Sequence, residues 1–263
     1  MQEQIIAERA HSLFASHRAG QPFAPFDGAA ALPSLDAAYA VQRRYVALLT
    51  GAGQTTVAGY TIGLTSPRMQ AMCGIDSPIA GAILATRIDT SGISLRRASY
   101  GRLGVEFEIG VRLDRDLPAA GAPYDFATVA AAVAAVAPAI EVVDDRAANY
   151  QGLDMRSLIA DNAWNAGLVL GPWCTRWPDL AAIAAVVTRD SIEVDRGHGR
   201  DVLGHPFNAL TWLANHLAVH GNGLRRGDII ATGSIVPTRF PAAPEAYVYA
   251  LDGLGEVTLT IVD

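Results

Sequence analysis

The chain has 263 residues, 51% hydrophobic and 17% charged, enough for a large core in one elaborate domain or a main domain with a small accessory one, and too apolar for a disordered segment. A net charge of -6 argues against a general nucleic-acid binder, and no apolar run approaches the ~20 residues of a membrane-spanning helix. All 20 basic residues are arginine, so neither a Schiff base nor a lysine general acid is available. The opening MQEQIIAERAHSLF lacks the basic start and unbroken apolar stretch of a secretion signal. Cys73 and Cys174 have no metal-type spacing and suit free thiols, so the cytoplasm is the expected location.

Ile6, Ala10, Leu13 and Phe14 recur at helical spacing over residues 2–18, with Gly20 as a stop. After a loop rich in Pro and Gly, Ser34 is placed to cap a second helix with Ala38, Val41, Tyr45 and Leu48 on one face and Gly51 at its end. These two helices predict a small N-terminal subdomain over residues 1–55, leaving 56–263 as the main domain. From Val57 the pattern becomes strand-like: VAGYTIGLT, then AGAILATRID, then GVEFEIGVRL. In the last, Val105, Phe107, Ile109, Val111 and Leu113 point one way and Glu106, Glu108, Gly110 and Arg112 the other. The Ala-rich stretch 127–137 predicts a helix that Pro138 ends before a strand at AIEVV. Further strands are expected at AGLVLG, near 182–189 and at 191–195. A helix follows from Pro206 with Phe207, Leu210, Leu213 and Leu217 on one face, then a strand at DIIATG and a closing hairpin around DGLG. The pattern is that of a β-rich α+β domain rather than βαβ alternation.

Glu106 and Glu108, two apart on one strand, leave the same face about 6–7 Å apart. Converging carboxylates repel unless a cation lies between them, and hard divalent ions favour oxygen ligands. Glu141 lies in an apolar strand context, PAIEVV, where an unpaired carboxylate would be costly to bury. The pattern alone leaves two readings open: a divalent-metal site, or a solvated strand face with Glu141 at a strand end.

The segments GYTIGLTSPRMQ (59–70), GIDSPIAG (74–81), GVEFEIGVRLDRDLP (104–118), PAIEVVDDR (138–146), ADNAWNAG (160–167), LGHPFNALTWLA (203–214) and LRRGDIIATGS (224–234) occur in an order spanning nearly the whole chain. With them the chain resembles the 2-keto-4-pentenoate hydratase and 4-oxalocrotonate decarboxylase branch of the fumarylacetoacetate hydrolase superfamily. The resemblance implies a β-rich main domain of mixed β-roll or sandwich form, Mg²⁺ or Mn²⁺ held by Glu106, Glu108 and Glu141, and a small 2-oxo or 2-hydroxydienoic acid as substrate. It also implies a homo-oligomer, with association with a pathway enzyme as a further expectation; neither nucleic acid nor membrane is an expected partner. Asp76 matches an acid that could shuttle a proton, or simply caps a turn before Pro78. Arg68 could pair with a substrate carboxylate or stay exposed. Leu64, Trp164, Asn165, Thr232 and Ser234 complete the expected substrate contacts, and backbone N–H groups around Gly233 could bind a carboxylate.

Two departures from the family pattern stand out. Thr61 lies where the family usually carries a lysine that helps polarise or protonate the substrate, and Trp164 and Asn165 fill a segment that is usually serine-rich. Thr61 is therefore a candidate catalytic position with a changed side chain, and Trp164 either reshapes a pocket or packs in the core. The expected activity is water addition to a 2-hydroxydienoate. The alternatives are decarboxylation of a 2-oxo-enedioate, another reaction of the superfamily on a 2-oxo acid, or a non-catalytic partner subunit. His205 is expected to be structural, His198 to lie in a loop able to reach the site, Asp228 to sit in a turn, and Asp144 and Arg146 to form a local ion pair.

Overall fold

In the computed structural model, which describes residues 2–51 and 53–263, helices α1 (Gln2–Arg18) and α2 (Leu35–Thr50) pack on one another. Ser34 caps α2 as expected, its hydroxyl accepting the Ala37 N–H at 3.1 Å. Ala38, Val41 and Tyr45 are buried with Ala10 and Leu13 of α1, and all five join the main hydrophobic core. The pair is tied down by polar contacts as well. Gln42 Nε2 donates to the carbonyls of Ala80 and Ile159. The buried Asp161 accepts from His17 Nε2 and from the Arg146 guanidinium, each at 2.5 Å, and Arg146 also donates to Ser16 Oγ and the Gln21 carbonyl.

The rest of the chain runs β1 (Val57–Gly63), α3 (Pro67–Met72), β2 (Ile79–Leu84), β3 (Ile88–Thr90), β4 (Ile93–Arg96), β5 (Leu103–Leu113), α4 (Phe126–Ala130), β6 (Val133–Asp144), α5 (Met155–Ala160) and β7 (Asn165–Leu170). It ends with β8 (Ala184–Arg189), β9 (Ile192–His198), α6 (Pro206–Val219), β10 (Ile229–Ala231), β11 (Glu245–Leu251) and β12 (Gly255–Val262). Seven strands form one sheet in the order β2-β1-β10-β5-β6-β7-β3, and five form a second, β4-β12-β11-β8-β9. The architecture is the mixed α+β one that the pattern predicts.

The predicted alternation of β5 explains how the layers meet. Val105, Phe107, Ile109, Val111 and Leu113 are all buried, and the Phe107 ring lies 5.5 and 5.4 Å from Tyr247 and Tyr249 of β11 in the smaller sheet. Each such side chain contributes about 1.5–3 kcal/mol of burial. On the opposite face, Ala139 of β6, Leu168 and Leu170 of β7, Ile83 of β2 and Ala231 of β10 form a second, smaller apolar cluster. A single face can gather strands from both ends of the sheet only if the sheet curls. It does: β2 lies against β7, and Asn162 staples the seam by accepting the Ala82 N–H and donating to the Ala82 carbonyl. The face carrying Glu106 and Glu108 thereby becomes the inside of a roll.

Two local expectations fail. Residues 133–137 of the Ala-rich stretch lie in β6, and the helix there is only Phe126–Ala130. Alanine favours helix in isolation, but β6 sits between β5 and β7, and inside the roll small side chains are what fits. A Cβ on Gly110 would lie 3.4 Å from that of Ala139 and 3.1 Å from Leu170 Cδ2. The segment AGAILATRID is not one strand either, since a turn at Ala85–Arg87 splits it and sends β3 to the far edge of the sheet. Among the described residues no helix is long and apolar enough to cross a membrane.

Candidate metal centre

Strands β5 and β6 pair antiparallel with Glu106 directly opposite Glu141, so both side chains leave the same face, and Glu108 lies two residues along it. One carboxylate oxygen from each of the three lies within 4.8 Å of the others. Glu108 and Glu141 are 0% and 3% exposed and Glu106 is half-buried. Burial, with the neighbouring carboxylates adding to it, pushes Glu108 well above the usual carboxylate range. Burial, with the charge of Glu106 adding to it, pushes Glu141 up to about 7, against the hydrogen bonds it accepts. Burial also raises Glu106, and a hydrogen bond from Thr238 opposes the shift.

Each carboxylate is held by neutral donors. Thr238 Oγ1 donates to Glu106 at 2.5 Å, and the Gly233 N–H donates to Glu108 Oε2 at 2.8 Å. Thr61 Oγ1 donates to Glu141 Oε2 at 2.6 Å, and Asn165 Nδ2 to its Oε1 at 2.7 Å. Glu108 Oε1 is buried with no partner among the described residues. Three like charges with neutral supports and an orphaned buried oxygen lack one component, a positive charge between them, and an all-oxygen donor set suits a hard divalent ion. The residues present fit such an ion.

Local backbone shape sets these donors. Gly233 has φ +111, and a Cβ there would lie 2.2 Å from Thr65 Oγ1, so only glycine can present this N–H. Asn162, Ala163 and Trp164 all adopt left-handed φ (55, 52 and 59), at a cost of about 1–2 kcal/mol for a non-glycine residue, and this turn delivers Asn165 to Glu141.

Residues 80–262 match the family model for the fumarylacetoacetate (FAA) hydrolase C-terminal region. The chain belongs to the fumarylacetoacetate hydrolase family. Within it the chain is 36% identical to a 2-keto-4-pentenoate hydratase of Burkholderia vietnamiensis, over 99% of both chains. It is 39% identical to a protein of the same name from Paraburkholderia phymatum, over 86% of this chain and 87% of that one. Among solved structures it resembles the 4-oxalocrotonate decarboxylase of Pseudomonas putida G7 complexed with magnesium and adipate, with TM-score 0.92, 26% identity and coverage of 100% and 98%.

Of the expected site residues in this FAA hydrolase family member, Thr61, Glu106, Glu108, Glu141 and Asn165 come together. Trp164 is 6% exposed, its ring edge-on to Phe23 at 5.2 Å and to Tyr150 at 5.8 Å, and its indole N–H has no partner among the described residues. Ser234 and Thr232 support the strand: Ser234 Oγ accepts the Phe107 N–H, and Thr232 Oγ1 donates to the Ile109 carbonyl. Arg68 and Asp76 are exposed, on α3 and on the turn entering β2, and Leu64 is half-buried just after β1. Gly233 does bind a carboxylate as its surroundings suggest, but that of Glu108.

Asp144 and Arg146 do not form the expected side-chain ion pair. Asp144 accepts the backbone N–H groups of Gly101, Arg102 and Arg146, while the Arg146 guanidinium turns inward to Asp161. Arg102 pairs bidentately with Asp145 and lies 4.8 Å from the Phe240 ring and 5.6 Å from that of Tyr150. His205 is structural: its Nδ1 accepts the Phe207 N–H at the start of α6. His198 ends β9, and Asp228 closes a turn by accepting the Arg225 N–H. Sequence reasoning missed Thr238 and Asn162. Thr238 lies in a loop and Asn162 in a short helical turn, and only the closed roll gives each its partner.

Proposed function

We propose that the protein is a divalent-metal-dependent hydro-lyase, with Mg²⁺ or Mn²⁺, that adds water to a 2-hydroxydienoate (the enol of a 2-oxo-enoate) to give a 4-hydroxy-2-oxo acid. The observation that carries this reading is the convergence of Glu106, Glu108 and Glu141 on one face of the roll, one carboxylate oxygen of each within 4.8 Å of the others. The hydratase names of relatives similar over almost the full chain favour water addition over decarboxylation.

A bound divalent ion supplies Lewis-acid stabilisation of the negative charge that develops on a 2-oxo acid as its double bonds shift. The chain's own residues do the rest. The three glutamates hold the ion. Thr61, Asn165, Thr238 and the Gly233 N–H orient them. Trp164, packed between Phe23 and Tyr150, narrows the space beside Asn165. The segment after β1 supplies substrate contacts from Leu64 and Arg68, and Asp76 at its end moves the proton. Residues 1–55 act as a helical subdomain that braces the turn at Asp161–Asn165 through His17, and the setting is cytoplasmic.

The test is consumption of 2-hydroxypenta-2,4-dienoate followed by ultraviolet absorbance, with Mg²⁺, with Mn²⁺ and in EDTA. Metal-dependent consumption that Glu106→Gln abolishes supports the reading, and Asp76→Asn should lower turnover while leaving metal affinity unchanged. Equal consumption in EDTA, or none with either metal, would sink it.

A further inference from the structure

Glu141 differs from the other two glutamates in that both of its oxygens accept a hydrogen bond from a side chain, Thr61 Oγ1 at 2.6 Å on one and Asn165 Nδ2 at 2.7 Å on the other. Asn165 comes from β7, the neighbour of β6, and Thr61 from β1, three strands away on the other side, so the two donors meet only because the sheet has rolled. The same two places are joined a second time. Thr61 pairs with Gly81 of β2. A Cβ on Gly81 would lie 2.5 Å from the Asn162 carbonyl oxygen, and Asn162 opens the left-handed turn that ends at Asn165. Thr61, Gly81, Asn162, Asn165 and Glu141 thus form a closed circuit of contacts around one carboxylate.

We propose that Thr61 and Asn165 are positioning residues, a neutral two-donor clamp that fixes the Glu141 carboxylate for a divalent cation and is kept in register by the seam at Gly81 and Asn162. A hydroxyl and an amide orient the carboxylate without cancelling its charge, which a guanidinium in either place would do. Each oxygen keeps lone pairs beyond the one the clamp uses, so orientation is gained without removing the ligand. Thr61 then acts through Glu141 and is not itself the acid that protonates substrate: its proton is already committed to a carboxylate oxygen, and the residue is 2% exposed.

The inference rests on the metal reading proposed above, and the experiment separates the two. Binding of Mn²⁺ alone is measured by electron paramagnetic resonance or calorimetry for the natural protein and for Thr61→Val, Thr61→Ser and Asn165→Ala, with thermal unfolding of each to show that it is folded. Loss of a partner that orients a ligand typically weakens metal affinity about 10–100-fold. Thr61→Val and Asn165→Ala should each show a weakening of that order, and Thr61→Ser, which keeps the hydroxyl, should return to within a few-fold of the natural protein. A merely structural Thr61 would lower the unfolding temperature without this pattern. Asn165 is half-buried, and its variant carries the test by itself if Thr61→Val does not fold. If the natural protein binds Mn²⁺ and the folded variants bind it equally well, or if Thr61→Ser is as weak as Thr61→Val, the clamp is wrong and the metal reading stands. Absence of Mn²⁺ binding by the natural protein overturns both.

Discussion

Replacing Glu108 with Gln should change stability in opposite directions with and without a divalent ion. One carboxylate oxygen from each glutamate lies within 4.8 Å of the others. At that separation two unit charges repel by about 3 kcal/mol for an effective dielectric constant near 20. A carboxyl can escape only by taking up a proton, which at pH 8 costs about 5 kcal/mol for a group whose ordinary value is 4.5. The relief from neutralising Glu108 therefore lies between about 3 and 5 kcal/mol. The swap is otherwise mild. The amide oxygen can keep the Gly233 N–H, and the amide NH₂ takes the place of the unpartnered Oε1 beside carboxylates that can accept from it.

The pH dependence has a definite sign. Glu108 is raised in the folded state, so its cost is absent below about pH 4.5 and grows as pH rises above that value. In EDTA at pH 8 the variant should unfold roughly 10 °C above the natural protein, given about 2–4 °C per kcal/mol for a chain near this size. At pH 5 the gap should shrink to below about 1 kcal/mol. With saturating Mn²⁺ the order should invert, since the natural protein gains a ligand that the variant holds poorly. Thermal unfolding by circular dichroism at both pH values, with and without metal, reads all of this. A variant less stable than the natural protein in EDTA at pH 8, or a gap that does not depend on pH, would refute the picture of uncompensated charge.

Gly233→Ala should cost about 2 kcal/mol or more and weaken metal binding, because the left-handed backbone and the 2.2 Å approach to Thr65 Oγ1 both oppose a Cβ; unfolding and Mn²⁺ titration check it. Asp161→Ala should cost about 3–5 kcal/mol by leaving the Arg146 guanidinium buried without its counter-charge. Hydrogen exchange should then show loss of protection in α1, whose His17 and Ser16 hold the same network. Trp164→Ser should lower stability by about 3 kcal/mol and change the ranking of 2-oxo acids in ligand titrations while leaving Mn²⁺ affinity intact. An unchanged ranking would leave Trp164 as core packing alone.

The strand that carries the chemistry was legible because its period of two was complete. Five apolar residues alternate with Glu106, Glu108, Gly110 and Arg112, and each lies on the face that the alternation requires. The helix starts at Ser34, which caps α2, and at Pro206, the first residue of α6, were legible for a similar reason, since they depend on neighbours a few residues away. The start of β6 was not. Its alanines carry no period, and what makes them strand is the pair of strands on either side, which local sequence does not encode. The supports of the glutamates were hidden for the same reason. Nothing near Thr61 announces Glu141, and the inward turn of Arg146 depends on an aspartate that helix α5 brings beside it.

The rolled sheet also bears on the order of events in folding. Three of the four supports lie far from their glutamates in the chain, with sequence separations of 80 for Thr61 and Glu141, 125 for Gly233 and Glu108, and 132 for Thr238 and Glu106, against 24 for Asn165 and Glu141. Contacts of this range form late and make a chain slow to fold. The ion then finds the glutamates without three of their four supports in the early chain and acts fully only on the finished roll. Metal present during refolding should leave the folding rate nearly unchanged and show itself in slower unfolding, the behaviour of an interaction absent from the transition state.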